Sequence, residues 1–236
     1  MSTTPSPRSQ PDTARLPDFD PRSVPVEGID AHLPPVPVHQ QTPQALRARF
    51  GAPPVWEPEL TSERRFSDRA PAHAAVLVPI VQRDQPTVLL TERTAHLSTH
   101  SGQIAFPGGK ADPEDASPAD TALREAHEEV GLERRYVEVL GALPIYRTGS
   151  AFIITPVVAL VQPGFTLQPN PYEVAAVFEV PLAYLMNAAS FTTRTIARNG
   201  RQHATRQVKH SGLVIWGITA NLTWQFHELA VAARAE

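Results

Sequence analysis

Gly108-Gly109-Lys110-Ala111-Asp112-Pro113-Glu114-Asp115-Ala116-Ser117-Pro118-Ala119-Asp120-Thr121-Ala122-Leu123-Arg124-Glu125-Ala126-His127-Glu128-Glu129-Val130-Gly131-Leu132 is the stretch around which the chain is organised. It reads as a glycine loop, an acidic turn and a short helix. Ser117 suits the N-cap, Pro118 the first helical position, and Asp120 partners the cap three residues on. Gly131 is a natural stop. At roughly 100° per residue, Ala119, Leu123, Ala126 and Val130 share one stripe, expected to pack on the core. Glu125, Glu128 and Glu129 share another, expected to turn away from it. Like charges at these spacings each cost a few tenths of a kcal/mol, and anions are disfavoured near a helix C-terminus. A hard divalent cation reverses the sign of that interaction, because carboxylate oxygens are its preferred ligands. A solvated acidic face is the plainer reading.

The bulk properties bound the rest. With 236 residues the chain can hold one large domain or two small ones. A net charge of −3 argues against non-specific nucleic-acid binding. The absence of cysteine excludes disulfides, thiolate metal sites and a cysteine nucleophile, and is compatible with a reducing compartment. No apolar run reaches membrane-spanning length, and no signal-peptide core follows Met1. A cytoplasmic protein without nucleic-acid or membrane partners is expected, and a homodimer is left open.

Residues 1–41 are proline-dense and carry no sustained periodicity, so a disordered tail is expected there. Residues 42–236 are expected to form one domain. A helix is expected over 44–50. Strands are expected over 73–82 and 87–92 as a hairpin, then over 104–106, 137–145, 152–161, 175–180, 191–196, 203–209 and 213–216. Asn199-Gly200 is a strong turn signal. A terminal helix over 219–233 would bury Leu222, Phe226, Leu229 and Ala230 on one face. Strands and helices intermix without βαβ regularity, which predicts an α/β fold with a mixed sheet covered by helices.

Gly109, followed by Arg124-Glu125-Ala126-His127-Glu128-Glu129-Val130-Gly131-Leu132, resembles the Nudix box. Leu89-Leu90-Thr91-Glu92-Arg93, Gly102-Gln103-Ile104-Ala105-Phe106-Pro107-Gly108-Gly109, Asn170-Pro171-Tyr172-Glu173-Val174 and Ile215-Trp216-Gly217-Ile218-Thr219-Ala220 resemble the coenzyme A pyrophosphatase branch of that superfamily. The resemblance spans about residues 70–230 and implies a Nudix-type α/β/α sandwich. It implies a metal-dependent hydrolase, using Mg²⁺ or Mn²⁺, that splits coenzyme A or a derivative into 3′,5′-ADP and 4′-phosphopantetheine. The same chemistry on ADP-ribose, a dinucleotide or a nucleoside triphosphate is the alternative, followed by a silent nucleotide-binding module. Glu125, Glu128 and Glu129 are the implied metal ligands, with Glu125 and Glu129, one turn apart, the first choice. Glu128 and Glu173 are the candidate general bases. Arg124 is expected to fix the glycine loop or orient a glutamate. Arg93, Gly102, Gly108 and Gly109 are the candidate substrate contacts.

Two positions depart from the pattern. Fourteen residues separate Gly109 from Arg124, one more than in the general box, so its carboxylate position falls on Asp115 counted from Gly109 and on Ala116 counted back from Arg124; the resemblance to coenzyme A-type members, which carry this extra residue, implies Asp115. Ser98 stands where the branch has Arg, and a hydroxyl cannot give an anion the bidentate cationic grip of a guanidinium. His96, His100 and His127 lack metal-ligand spacing, and His127 is expected to be partly buried.

Overall fold

The computed structural model describes residues 26–97, 101–198 and 201–232. Most of the proline-dense segment, Ser98, His100 and the Asn199-Gly200 turn lie outside the described residues. The elements are β1 (Gly28–Ile29), α1 (Pro43–Gly51), β2 (Ala72–Val81), β3 (Thr87–Arg93), β4 (Ile104–Ala105), β5 (Gly108–Lys110), α2 (Pro118–Val130), β6 (Val137–Ala142), β7 (Tyr146–Arg147), β8 (Phe152–Val161), β9 (Val174–Pro181), α3 (Leu182–Leu185), β10 (Phe191–Arg198), β11 (Arg201–His210), β12 (Leu213–Trp216) and α4 (Gly217–Val231).

The larger sheet is mixed. β2 runs parallel to β8, and the remaining pairings are antiparallel: β3 with β2, β4 and β9, β5 with β2, and β6 and β7 with β8. β2 and β8 are continuous apolar runs because both faces of the sheet are covered. Side chains alternate across the pleat. Leu77, Val81, Val157 and Ala159 pack with Leu123, Ala126 and Val130 of α2. Val78, Ile80, Val158 and Leu160 belong to the other cluster, with Leu222, Trp224, Phe226 and Leu229 of α4. Helix, sheet and helix therefore form three layers, with each fully buried aliphatic side chain stabilising by about 1.5–3 kcal/mol.

Three expectations change. Residues 26–41 are not a loose tail. β1 pairs with β10, and Val36 is buried with its N–H donating to the Met186 carbonyl at 2.8 Å. Nε of Arg206 donates to Asp30 at 3.2 Å, anchoring the strap to the second sheet, β1-β10-β11-β12. Strap packing through one valine and ion pairs has no period to detect. The strand expected over 137–145 ends at Ala142, just before Pro144, which has no N–H to donate, and β7 follows as a separate short strand. α4 is buried from Thr219 through Ala230 on all sides, because it also packs against β11 and β12.

Candidate active site

α2 begins as its sequence demands. Ser117 Oγ accepts from the Asp120 N–H at 3.2 Å, Pro118 occupies the first turn, and Gly131 closes the helix at φ 71°. The last carbonyls do not go to water. Val130 O accepts from the Gln168 N–H and Glu129 O from the Asn170 N–H, both at 2.8 Å. The loop before β9 thereby satisfies the helix end and lies against it.

This contact splits the glutamate stripe. Glu129 is 4% exposed, Glu125 is half-buried, and Glu128 is exposed. The expectation that all three turn from the core fails at Glu129, because the glycine loop and the 168–170 backbone cover it. Glu129 Oε2 accepts from the Gly108 N–H at 3.2 Å. The Glu125 carboxylate lies on Gly109, where a Cβ would stand 2.5 Å from its carboxyl carbon. A Cβ at Gly108 would collide with the Ala75 carbonyl and Val76 backbone of β2. The two glycines thus bring β5 against both α2 and the sheet.

Arg124 clamps this arrangement. Its Nε and Nη2 donate to the two oxygens of Asp115 at 3.1 and 3.0 Å, and Nη2 also donates to the Lys110 carbonyl at 3.0 Å. Its Nη1 donates to Glu125 Oε1 at 3.0 Å and Glu128 Oε2 at 3.1 Å. Arg124 thus bridges the glycine loop, the Asp115 turn and two glutamates of α2. Asp115 further accepts from the Asp112 N–H and the Thr121 hydroxyl, both at 2.9 Å. Hydrogen bonds from Arg124, then from the Asp112 amide, hold its carboxyl well below the usual range. Asp115 is a tie between loop and helix.

Other segments converge on Glu129. Arg93, at the end of β3, places Nη1 3.7 Å from Glu129 Oε1, and its Nε is buried without a hydrogen-bond partner among the described residues. The Gly102 N–H donates to the Arg93 carbonyl at 3.0 Å, which ties Gly102 to the end of β3. Glu173 follows Asn170, whose Nδ2 donates to its Oε1 at 3.4 Å. Burial first, then the charges of Glu125 and Glu173, push the Glu129 carboxyl up to about 7, against the pull of the Gly108 N–H and Arg93. Burial also raises Glu125, with Glu128 and Glu173 adding and Arg124 opposing. Glu173 thus adds to the field of both covered glutamates, and the exposed Glu128 adds to that of Glu125, with which it shares the Arg124 Nη1 donor. His127 is exposed, contrary to expectation, since it faces away from the sheet.

Among the described residues, no three acidic or imidazole groups stand together at metal-ligand spacing. The Glu125 and Glu129 carboxylates, both against the glycine loop, nonetheless offer the kind of donor a hard cation takes. Its ligands are oxygens, and their mutual repulsion and desolvation are what a divalent charge offsets. Arg93 Nε, an unsatisfied buried donor costing about 1–3 kcal/mol, suits an anionic group. A shallow depression of about 560 Å³ lies on the other flank of α2, lined by Asp120, Leu123, Arg124, His127 and Arg134 among others, away from the covered glutamates. Sequence reasoning missed Thr94 and the holding role of Asn170. Asn170-Pro171 is an Asx-turn signal that could have marked the latter.

The NUDIX domain family matches residues 71–198. The chain belongs to the Nudix family. A Photorhabdus laumondii relative, named as the uncharacterized Nudix hydrolase NudL, is 45% identical over 167 residues, covering 71% of this chain and 87% of its own. The NudL of Yersinia enterocolitica is 47% identical over 148 residues, 63% of this chain and 76% of its own. Among solved structures, the MutT protein of Methanosarcina mazei shares 14% identity at a TM-score of 0.45, over 69% of this chain and 96% of its own. The Nudix domain of Shewanella oneidensis NrtR, complexed with ADP ribose, shares 26% at a TM-score of 0.38, over 49% and 75%. The family match and the relatives make this chain a Nudix hydrolase, and enzymes of the family use divalent cations such as Mg²⁺ or Mn²⁺. No helix among the described residues is long and apolar enough to cross a membrane.

Proposed function

We propose that this Nudix hydrolase splits the pyrophosphate of coenzyme A or a derivative into 3′,5′-ADP and 4′-phosphopantetheine. One observation carries the reading. The segments that resemble the coenzyme A branch lie far apart in sequence yet tie to one another beside Glu129: the Thr94 N–H, next to Arg93, donates to the Glu173 carbonyl at 3.0 Å. Glu125 and Glu129 would hold the cation. When bound, it neutralises phosphate oxygens and acidifies water. Arg93 would meet the pyrophosphate through its partly exposed guanidinium and offset charge in the transition state. Glu173 takes the proton of the attacking water. It is a better general base than Glu128, whose carboxylate is committed to Arg124. Arg124 is a positioning residue. The absence of cysteine accords with work in the cytoplasm.

Ser98, in place of the arginine of the branch, favours a second reading: the same chemistry on another nucleoside diphosphate such as ADP-ribose. The test is turnover of coenzyme A, ADP-ribose and NADH with Mg²⁺. Highest kcat/KM on coenzyme A supports the first reading. Turnover of ADP-ribose without coenzyme A sinks it, and no turnover of any compound favours a binding module.

A further inference from the structure

Tyr172 is 75% exposed, and among the described residues its side chain makes no hydrogen bond or ring contact. Such a ring adds little to folding. Its backbone, by contrast, is held closely. The Tyr172 N–H donates to Asn170 Oδ1 at 3.1 Å, and the Tyr172 carbonyl accepts from Thr94 Oγ1 at 2.9 Å. Asn170 is itself tied to the Glu129 carbonyl at 2.8 Å. Pro171 stiffens the turn further.

Thr94 is 6% exposed, and its hydroxyl also lies 3.5 Å from Nε2 of His96, a second exposed ring. One buried hydroxyl thus joins the mountings of two planar side chains, on the segments that flank Arg93 and Glu173. Tyrosine offers large, flat contact area with few rotors to freeze. Flat rings on a fixed frame suit a flat ligand face.

We propose that Tyr172 and His96 form a clamp for the base of the nucleoside diphosphate, Tyr172 being the main stacking platform. The proposal rests on the reading of Glu125, Glu129 and Arg93 as the pyrophosphate site, and assigns the base to the rim beside it. Stacking a base on one aromatic side chain is worth about 1–3 kcal/mol, which converts to between about 5- and 100-fold in affinity.

The experiment is calorimetric binding of ADP and of inorganic pyrophosphate, with Ca²⁺ in place of Mg²⁺, to the full chain and to Tyr172→Ala, Tyr172→Phe, Tyr172→Trp and His96→Ala. The proposal expects Tyr172→Ala to weaken ADP by about 5- to 100-fold and His96→Ala by a smaller factor. Pyrophosphate should stay within about twofold, and Phe or Trp should preserve ADP binding. In turnover, Tyr172→Ala should raise KM with kcat nearly unchanged. Equal ADP affinity in Tyr172→Ala and the parent overturns the clamp. So does a parent that binds ADP no tighter than pyrophosphate, or a Tyr172→Ala variant that loses both ligands equally. ADP is common to coenzyme A and ADP-ribose. A parent that cleaves only ADP-ribose would therefore sink the substrate reading and leave the clamp to be judged on these affinities.

Discussion

Gly109→Ala and Gly108→Ala differ by one position and should fail in different ways. At Gly109 the nearest atoms to the new methyl are those of the Glu125 carboxylate, at 2.5 Å, whereas ordinary contacts begin near 3.4 Å. The far end of a flexible side chain can retreat by the missing distance of about 1 Å at little cost in stability. Loss of unfolded-chain entropy offsets part of it by about 0.4–1 kcal/mol. A displacement of that size in a group that positions the reaction lowers turnover about 100-fold. At Gly108 the methyl meets the Ala75 carbonyl and Val76 backbone of β2, which cannot retreat without opening the sheet. A cost of about 3 kcal/mol or more is expected, in the range of forced overpacking. The assay is thermal unfolding of both variants alongside coenzyme A turnover with Mg²⁺. Gly109→Ala should melt within a few degrees of the parent and be about 100-fold slower, while Gly108→Ala melts far lower. A fully active Gly109→Ala would refute the placement of Glu125 against the glycine loop, as would two variants equally destabilised.

Other consequences follow from the same geometry. Glu129→Gln should cut turnover by at least about 100-fold without lowering the melting temperature, since the substitution removes a charge whose burial is unfavourable; unfolding and kinetics on one preparation decide it. Arg124→Ala should destabilise by about 2 kcal/mol in denaturant titration, less than its number of hydrogen bonds suggests because part of the guanidinium meets solvent, and should also slow turnover. His227 is fully buried against Trp224, their rings stacked with centroids 5.4 Å apart, and burial pushes its pKa down from 6.5 to about 4. The unfolded chain therefore takes up the proton first. The contribution of His227 is fully present above about pH 6.5, falls as pH drops toward about 4, and amounts to about 3 kcal/mol. Denaturation curves of His227→Leu and the parent at pH 7.5 and 4.5 should show the parent losing more stability on acidification; parallel losses would contradict the assignment.

Much of the fold is visible in local chemistry. Ser117, Pro118 and Gly131 mark α2 because caps act within a few residues. The apolar runs of β2 and β8 announce strands buried on both faces. What local chemistry hides is burial set by distant chain. Glu129 looks as exposed as Glu128 until the loop through Gln168 and Asn170 closes over it. α4 looks one-sided until β11 and β12 cover its other face. The strap over 28–36 has no period, since Val36 and Asp30 are held by partners more than 100 residues away. At the site, the Arg124-Glu125-Glu128-Glu129 cluster is legible as an electrostatic anomaly. The burial that sets Glu129 apart from the exposed Glu128 is not, because the Asn170 turn imposes it in three dimensions.

The claim that the covered glutamates of α2 serve pyrophosphate cleavage of coenzyme A is tested most directly by mass spectrometry of the products formed in ¹⁸O-labelled water with Mg²⁺. The account predicts 3′,5′-ADP and 4′-phosphopantetheine, with one label incorporated and the reaction abolished by Glu129→Gln. Intact coenzyme A under conditions in which ADP-ribose is cleaved would contradict the substrate, and full cleavage by Glu129→Gln would contradict the site.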